Sequence, residues 1–113
     1  MTFDIIPTPD FEKALKALAK KYPSMKQDIM GFIAALQENP LQGVELCPGI
    51  RKIRIAIKSK GRGKSGGARV ITYTVIVSEE AGQVYLLDIY DKADYSTVDV
   101  AVLQQIVNEI ELI

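Results

Sequence analysis

The first forty residues contain a short apolar run followed by two stretches with helical periodicity. The run at residues 2–6, closed by Pro7, predicts a first strand. Thr8 followed by Pro9 is typical of a helix start, since the first helical N–H has no partner within the helix. Apolar residues then recur three or four positions apart, at Phe11, Ala14, Leu15 and Leu18 and again at Met25, Ile29, Phe32, Ile33 and Leu36.

Proline residues mark the limits of these two predicted helices. Pro23 separates them, and Asn39 with Pro40 ends the second. Ser24, with Gln27 three residues later, has the spacing of a capping box at the start of the second helix. Because so few residues join the helices, we expect an antiparallel hairpin with one shared apolar side.

From residue 50 the apolar positions alternate, which is the period of a β-strand. The alternation places Ile53, Ile55 and Ile57 on one face and Lys52, Arg54 and Lys58 on the other. Residues 41–49, which include two glycines and a proline, are expected to form a loop. Residues 68–77 are β-branched and apolar, which predicts a central strand covered on both faces. A turn at residues 79–82 then leads to a last strand at residues 84–90.

The final stretch predicts a third helix. Ser96 and Asp99 resemble a capping box, and the apolar stripe that follows is Val100, Leu103, Val107 and Ile110. The predicted order is therefore β-α-α-β-β-β-α over a single domain, residues 1–113. This order indicates an α+β fold, in which an antiparallel sheet packs against an N-terminal helical hairpin and is followed by a C-terminal helix.

The composition narrows the chemistry that is available. The chain has no histidine and one cysteine, Cys47, so it cannot form an internal disulfide or activate a nucleophile with imidazole. No apolar run approaches the ~20 residues of a membrane helix, and residues 1–9 lack the cationic start of a secretory signal. We expect a cytoplasmic protein without a membrane span, in which Lys, Arg, Tyr or carboxylate groups perform any reaction.

Charge is unevenly distributed along the chain, although the net charge is zero. Eight of the fourteen Lys and Arg residues lie between Arg51 and Arg69, and no Asp or Glu occurs from Pro48 to Ser78. Clustered cations separated by glycines are suited to binding phosphates. We therefore expect a polyanion to bind this segment.

The glycine-rich segment at residues 61–66 reads G-x-G-x-x-G and contains the Gly-Lys-Ser ending of a phosphate-binding P-loop. Both motifs require a helix to follow, because the phosphate sits on the helix N-terminus. Here a predicted strand follows instead, so we expect no nucleotide cofactor. The segment is interpreted as a hairpin loop whose Lys60, Arg62 and Lys64 reach a polyanion.

Strand alternation also predicts a reactive surface. If the last three strands are neighbours, five side chains converge on one open face: Lys52, Arg54, Arg69, Tyr90 and Lys92. Such a surface suits RNA cleavage without a metal, since arginine stabilises charge on the phosphorane and Tyr or Lys can transfer protons.

Three stretches that carry these residues resemble the RelE/ParE toxin superfamily, and are closest to the HigB-like branch of RelE-type toxins. They are Gly49-Ile-Arg-Lys-Ile-Arg54, residues 58–73, and Tyr85-Leu-Leu-Asp-Ile-Tyr90-Asp-Lys92. The resemblance implies a RelE-like fold and the toxin of a type II toxin–antitoxin system. Such a toxin cuts mRNA in the ribosomal A site and is neutralised by a cognate antitoxin.

The resemblance also implies roles for individual residues. Lys52 and Arg54 match a basic pair on the first strand of the core, and Arg69 matches an arginine that stabilises the phosphate. Tyr90 and Lys92 match the Tyr-x-Lys that closes the last strand in this branch, and we expect Tyr90 to act as the base or an orienting group and Lys92 as the acid. The basic loop, Lys60, Arg62 and Lys64, is expected to contact ribosomal RNA, and Arg51 and Lys58 are assigned to the same RNA-binding set. Neither a metal nor a cofactor is implied.

The sequence departs from this pattern in two places and leaves two other functions open. The chain ends without the terminal His or Tyr of some relatives, and Ala93 stands where the archetypal pattern has an arginine. A ParE-like inhibitor of DNA gyrase would share the fold and act without catalysis. A catalytically inactive RNA-binding module is the third interpretation.

Overall fold

Five strands form one sheet in the computed structural model, which describes residues 2–94 and 99–111. The elements follow the order β1 (Thr2–Pro7), α1 (Pro9–Lys21), α2 (Met25–Glu38), β2 (Val44–Cys47), β3 (Ile50–Ile55), β4 (Ala68–Ser78), β5 (Ala81–Asp91) and α3 (Val100–Glu111). A 3-10 turn at Lys58–Lys60 lies between β3 and β4. Across the sheet the order is β1-β5-β4-β3-β2.

The α+β class predicted from the sequence is confirmed, but the sheet is mixed and not antiparallel. β1 pairs with β5 in parallel, whereas the other neighbours are antiparallel. The chain leaves β1 at one edge of the sheet and passes through both helices to β2 at the opposite edge. β1 therefore pairs with the last strand and not with a strand near it in sequence.

The structure also corrects the predicted loop at residues 41–49, where β2 forms an edge strand. β2 is four residues long, and its register with β3 shifts between Glu45 and Cys47. A short, irregular edge strand next to turn residues carries little alternation, so its sequence resembles a loop. Gly49 sits at a φ of 83°, and a Cβ there would lie 2.7 Å from the Tyr73 ring. The turn into β3 therefore requires glycine.

Two apolar clusters cover the two faces of the sheet. On one face α1 and α2 bury Phe11, Met25 and Leu36 against the sheet, where Val70 and Leu86 are fully buried. On the other face the cluster contains Ile71, Leu87 and Tyr90 with Leu103 and Val107 of α3. β4 is thus a central strand covered on both faces, as its sequence predicts. None of the helices in the described residues is long and apolar enough to cross a membrane.

The predicted helix starts have mixed outcomes. Thr8 caps α1 as predicted, because its hydroxyl accepts a hydrogen bond from Phe11 N at 3.3 Å. The predicted Ser24–Gln27 capping box is wrong, since the Ser24 hydroxyl donates to Asp28 and accepts from Ser59 N at 2.8 Å. Ser24 thereby ties the start of α2 to the 3-10 turn.

At the start of α3, Asp99 Oδ1 accepts from Ala101 N at 3.0 Å, so Asp99 occupies the cap position itself. The predicted box placed Asp99 three residues inside the helix, which the structure contradicts. Its proposed partner, Ser96, lies outside the described residues.

Thr72 on β4 is fully buried, and its hydroxyl has no hydrogen-bond partner among the described residues. We expect Thr72→Val to raise the free energy of unfolding by about 1 kcal/mol, because a methyl group of the same shape removes an unpaired buried oxygen. Thr8→Val is the matched control and should lower it by about 1 kcal/mol, since the Thr8 hydroxyl caps α1 and donates to Leu86 O. Urea unfolding measures both, and two changes of the same sign would contradict this account.

Candidate active site

Three polar side chains form a row across the centre of the sheet. Arg54 on β3 lies directly opposite Arg69 on β4, and Arg69 lies directly opposite Tyr90 on β5. Directly opposite residues of antiparallel strands project from the same face. Two like charges in such a pair destabilise a sheet, so packing does not account for the two arginines. Their juxtaposition indicates a site for an anion.

A bulge in β5 keeps Tyr90 in this row. Ile71 pairs with Asp88 and Thr72 pairs with Leu86, so Leu87 is the extra residue on β5. Leu87 and Tyr90 both belong to the cluster on the α3 face, although they are three residues apart. In an uninterrupted strand, residues three apart point to opposite faces. The bulge therefore directs Tyr90 toward Arg69, a common use of bulges next to functional sites.

A cleft of about 450 Å³ opens over this row. It is lined by Lys52, Arg54, Arg69, Tyr90 and Lys92, together with Gly43 and Val44 at the β2 edge. The structure thus brings together all five residues that the sequence assigns to catalysis. Strand alternation predicts that Lys92 lies on the last strand together with Tyr90. Instead Lys92 follows the end of β5, and its N–H donates to Gly67 O at 3.1 Å.

Arg69 is nearly buried, with 7% of its surface exposed. Its Nη1 donates to Lys64 O at 3.0 Å and to Ala68 O at 3.2 Å, and its Nη2 donates to Ser65 O at 3.2 Å. The ion pairs among the described residues are Arg51–Glu45 and Lys60–Asp91, so none of them neutralises Arg69. Carbonyl oxygens fix the guanidinium in place without cancelling its charge.

Tyr90 is also nearly buried, and burial raises the pKa of its hydroxyl above the usual value of 10. The nearby Arg69 charge lowers this pKa and Asp88 raises it, but burial is the largest influence. Tyr90 therefore keeps its proton at neutral pH. A protonated phenol donates a hydrogen bond or a proton, whereas a base must first lose its proton, so we expect Tyr90 to act as an acid or an orienting group.

The five cations predicted to bind RNA have different surroundings. Arg51 lies on the same strand as Arg54, three residues away and on the opposite face, and its Nη2 lies 3.9 Å from Glu45. Lys58 belongs to the 3-10 turn and not to β3, which corrects its predicted place in the strand. Arg62 and Lys64 are exposed in the glycine-rich loop, as predicted.

Lys60 points inward, which differs from its predicted role as a loop cation open to RNA. Its Nζ lies 2.6 Å from Asp91 Oδ1, and only 15% of the side chain is exposed. Asp91 is 1% exposed and also accepts from Tyr22 Oη and from Ala93 N. This Tyr22–Asp91–Lys60 cluster joins the cationic loop to the ends of α1 and β5. Sequence reasoning missed it, because 31 residues separate Lys60 from Asp91.

Asp91 makes a specific contribution to stability at neutral pH. Burial alone would raise its pKa, but the hydrogen bonds from Lys60, Tyr22 and Ala93 lower it to about 2. Since the unfolded value is about 3.9, the difference corresponds to about 2.5 kcal/mol, present above pH 4 and lost as the pH falls toward 2.

We therefore expect Asp91→Asn to lower the free energy of unfolding at pH 7 by about 3 kcal/mol, because Lys60 loses its countercharge. The variant should also lose part of the acid dependence between about pH 5 and pH 2. Urea titrations across this range measure both effects. Asp4→Asn, at an exposed position on β1, should leave both unchanged. Parallel pH curves for the wild type and Asp91→Asn would contradict the assignment.

No model of a known protein family matches the chain. A function is therefore inferred from the geometry of the cleft and from the residues that resemble the RelE/ParE superfamily.

Proposed function

We propose that the protein is a RelE-type toxin of a type II toxin–antitoxin system, a metal-independent endoribonuclease that cuts mRNA in the ribosomal A site. The observation that carries the proposal is the row Arg54–Arg69–Tyr90 under an open cationic cleft. In this proposal the RelE-like arrangement of helices and strands serves to hold that row.

The reaction follows from the chemistry of the row. The ribose 2′-oxygen attacks the adjacent phosphorus, its proton passes to water, and the P–O5′ bond breaks as the 2′-O–P bond forms. Charge that develops on the phosphorane oxygens is stabilised by Arg54 and Arg69, whose planar guanidinium groups can each donate two hydrogen bonds. Tyr90 donates a proton to the departing 5′-oxygen. The products are a 2′,3′-cyclic phosphate and a 5′-hydroxyl.

Lys52 and Lys92 flank the row and favour the approach of the RNA backbone. Lys52 lies two residues before Arg54 on the same face of β3, and Lys92 is exposed at the end of β5. With these two residues, four cations line the cleft. A cognate antitoxin would have to hide this surface, and an acidic or amphipathic helix would serve. The proposed function places the protein in the cytoplasm, where ribosomes are present.

Primer extension on a translated mRNA tests the proposal. The purified protein should produce new mRNA ends when ribosomes are present and none when they are absent. Translation should stop in the same reactions. Intact mRNA together with inhibited DNA supercoiling by gyrase would contradict the proposal and support the ParE-like alternative. Intact mRNA with RNA binding alone would support the inactive module.

A further inference from the structure

A second cleft adjoins the candidate active site at Arg54. This cleft, of about 230 Å³, lies between α2 and the outer edge of β3, and Arg54 lines both clefts. β2 pairs with β3 only as far as Lys52. Beyond that residue, Ile53, Arg54 and Ile55 still pair with β4, but on the β2 side they border the second cleft.

The backbone along this edge is able to bind a ligand. A Cβ on Gly43 would lie 2.3 Å from Lys52 O, so that carbonyl is directed toward the β2 side. Along a strand, the N–H and C=O groups of alternate residues point to the same side. The N–H and C=O of Arg54 are therefore directed into the second cleft, where they offer one donor and one acceptor.

Gly31 shapes the opposite wall. Gln27, Gly31 and Ala35 are spaced four residues apart and form one stripe of α2 along the cleft. A Cβ on Gly31 would meet no atom within 4 Å, and Gly31 is not among the glycines with positive φ. Glycine in a helix interior is unfavourable relative to alanine, so neither packing nor backbone conformation explains it. Its effect is to widen the cleft.

The remaining lining matches a nucleotide. Phe32 and Ile53 are buried apolar residues at the cleft. Gln27 supplies an amide group, and Gln42, whose Nε2 donates to Ala35 O at 3.1 Å, supplies its side-chain carbonyl. Lys58 and Lys64 are exposed cations at the cleft. The single acidic lining residue, Asp28, already accepts hydrogen bonds from Ser24 Oγ and Lys58 N through the same oxygen. Apolar surface, amides and two ammonium groups together suit a base with its phosphate.

We propose that the second cleft binds the base of the nucleotide next to the reacting phosphate, with Lys58 and Lys64 contacting the phosphate on its far side. The strand would cross Arg54 from one cleft to the other. The inference rests on the proposed function and deepens it, because the second cleft would influence which mRNA sequences are cut.

Gly31→Leu tests the inference, with Met30→Leu as the matched control. Both variants put leucine on α2, but Gly31 lines the second cleft, whereas Met30 is exposed and lines neither cleft. The probe is a fluorescein-labelled single-stranded RNA of mixed sequence, about 12 nucleotides long, within the span of single-strand-binding grooves. Fluorescence anisotropy should show about tenfold weaker binding for Gly31→Leu, the size expected when one base loses its site, and wild-type binding for Met30→Leu.

Primer extension on translated mRNA provides the second measurement. Gly31→Leu should change the distribution of cut sites, whereas Met30→Leu should cut as the wild type does. If the wild type cuts mRNA and Gly31→Leu matches it in affinity and cut sites, the second cleft holds no nucleotide. The inference then fails, whereas the proposed function stands. If the wild type binds RNA without cutting it, the proposed function fails, and the affinity difference between the two variants still decides the inference. Absence of RNA binding by the wild type would overturn both.

Discussion

Replacing Arg54 with glutamine is expected to lower the single-turnover rate of mRNA cleavage by about 10²–10³-fold. That is the usual loss when one preorganised donor to a developing oxyanion is removed. Arg54 is exposed and borders both clefts, so its loss should change the reaction and leave the fold intact. The measurement is the rate of cleavage of ribosome-bound mRNA under enzyme excess, accompanied by thermal unfolding of the variant.

Arg51 provides a matched control on the same strand. It is three residues from Arg54 and faces the opposite side of the sheet, where it lies near Glu45. Arg51→Gln removes the same charge from the same strand and should leave the rate within about twofold of the wild type, since Arg51 lines neither cleft and its partner Glu45 is exposed. Equal losses in the two variants would show that overall charge, and not the row of side chains, determines activity.

Arg69→Glu is a poorer test of the same row. Its carboxylate would be buried against the carbonyl oxygens of Lys64, Ser65 and Ala68, which now accept hydrogen bonds from the guanidinium. Such a variant would lose stability as well as activity. The exposed partner in the row is therefore the better position for a substitution.

Tyr90→Phe is expected to reduce cleavage by about 10²–10⁴-fold, the range of general acid–base catalysis. Because burial raises the pKa of Tyr90, the hydroxyl stays protonated and able to act as an acid from pH 6 to pH 9. Its contribution should therefore stay constant over that range, and the ratio of wild-type to variant rates should not rise with pH. A ratio that increases tenfold for each pH unit would identify Tyr90 as a base.

Tyr85→Phe is the control for this substitution. Tyr85 lies on the same strand and stacks with Tyr73 at 6.3 Å between ring centres, and it does not line the cleft. The Tyr85→Phe variant should cut mRNA at the wild-type rate. If Tyr85→Phe were as defective as Tyr90→Phe, the loss would reflect disturbed packing of β5.

Alternation along the strands is enough to predict much of the site. A period of two puts Lys52 and Arg54 on one face of β3, and adjacency of the last three strands brings them near Arg69 and Tyr90. The sequence does not reveal the bulge at Leu87, because its position depends on how β5 pairs with β4. Alternation still places Asp88 and Tyr90 on the same face, because the bulge at Leu87 comes before Asp88 and does not interrupt the strand between these two residues.

Contacts between distant segments account for the predictions that are wrong. β1 pairs in parallel with β5, and Lys60 pairs with Asp91, because the fold brings together segments that are far apart in sequence. Ser24 likewise bonds to Ser59, 35 residues away, instead of capping its own helix. Local patterns describe helices and strands well, but partners of this kind depend on the tertiary arrangement.

A crystal structure of the protein with a 2′-O-methyl RNA trinucleotide, which cannot be cleaved, tests the central claim most directly. The account predicts a phosphate within hydrogen-bond distance of Arg54, Arg69 and the Tyr90 hydroxyl. A trinucleotide bound only to the exposed loop cations Arg62 and Lys64, with the cleft above Tyr90 unfilled, would contradict it.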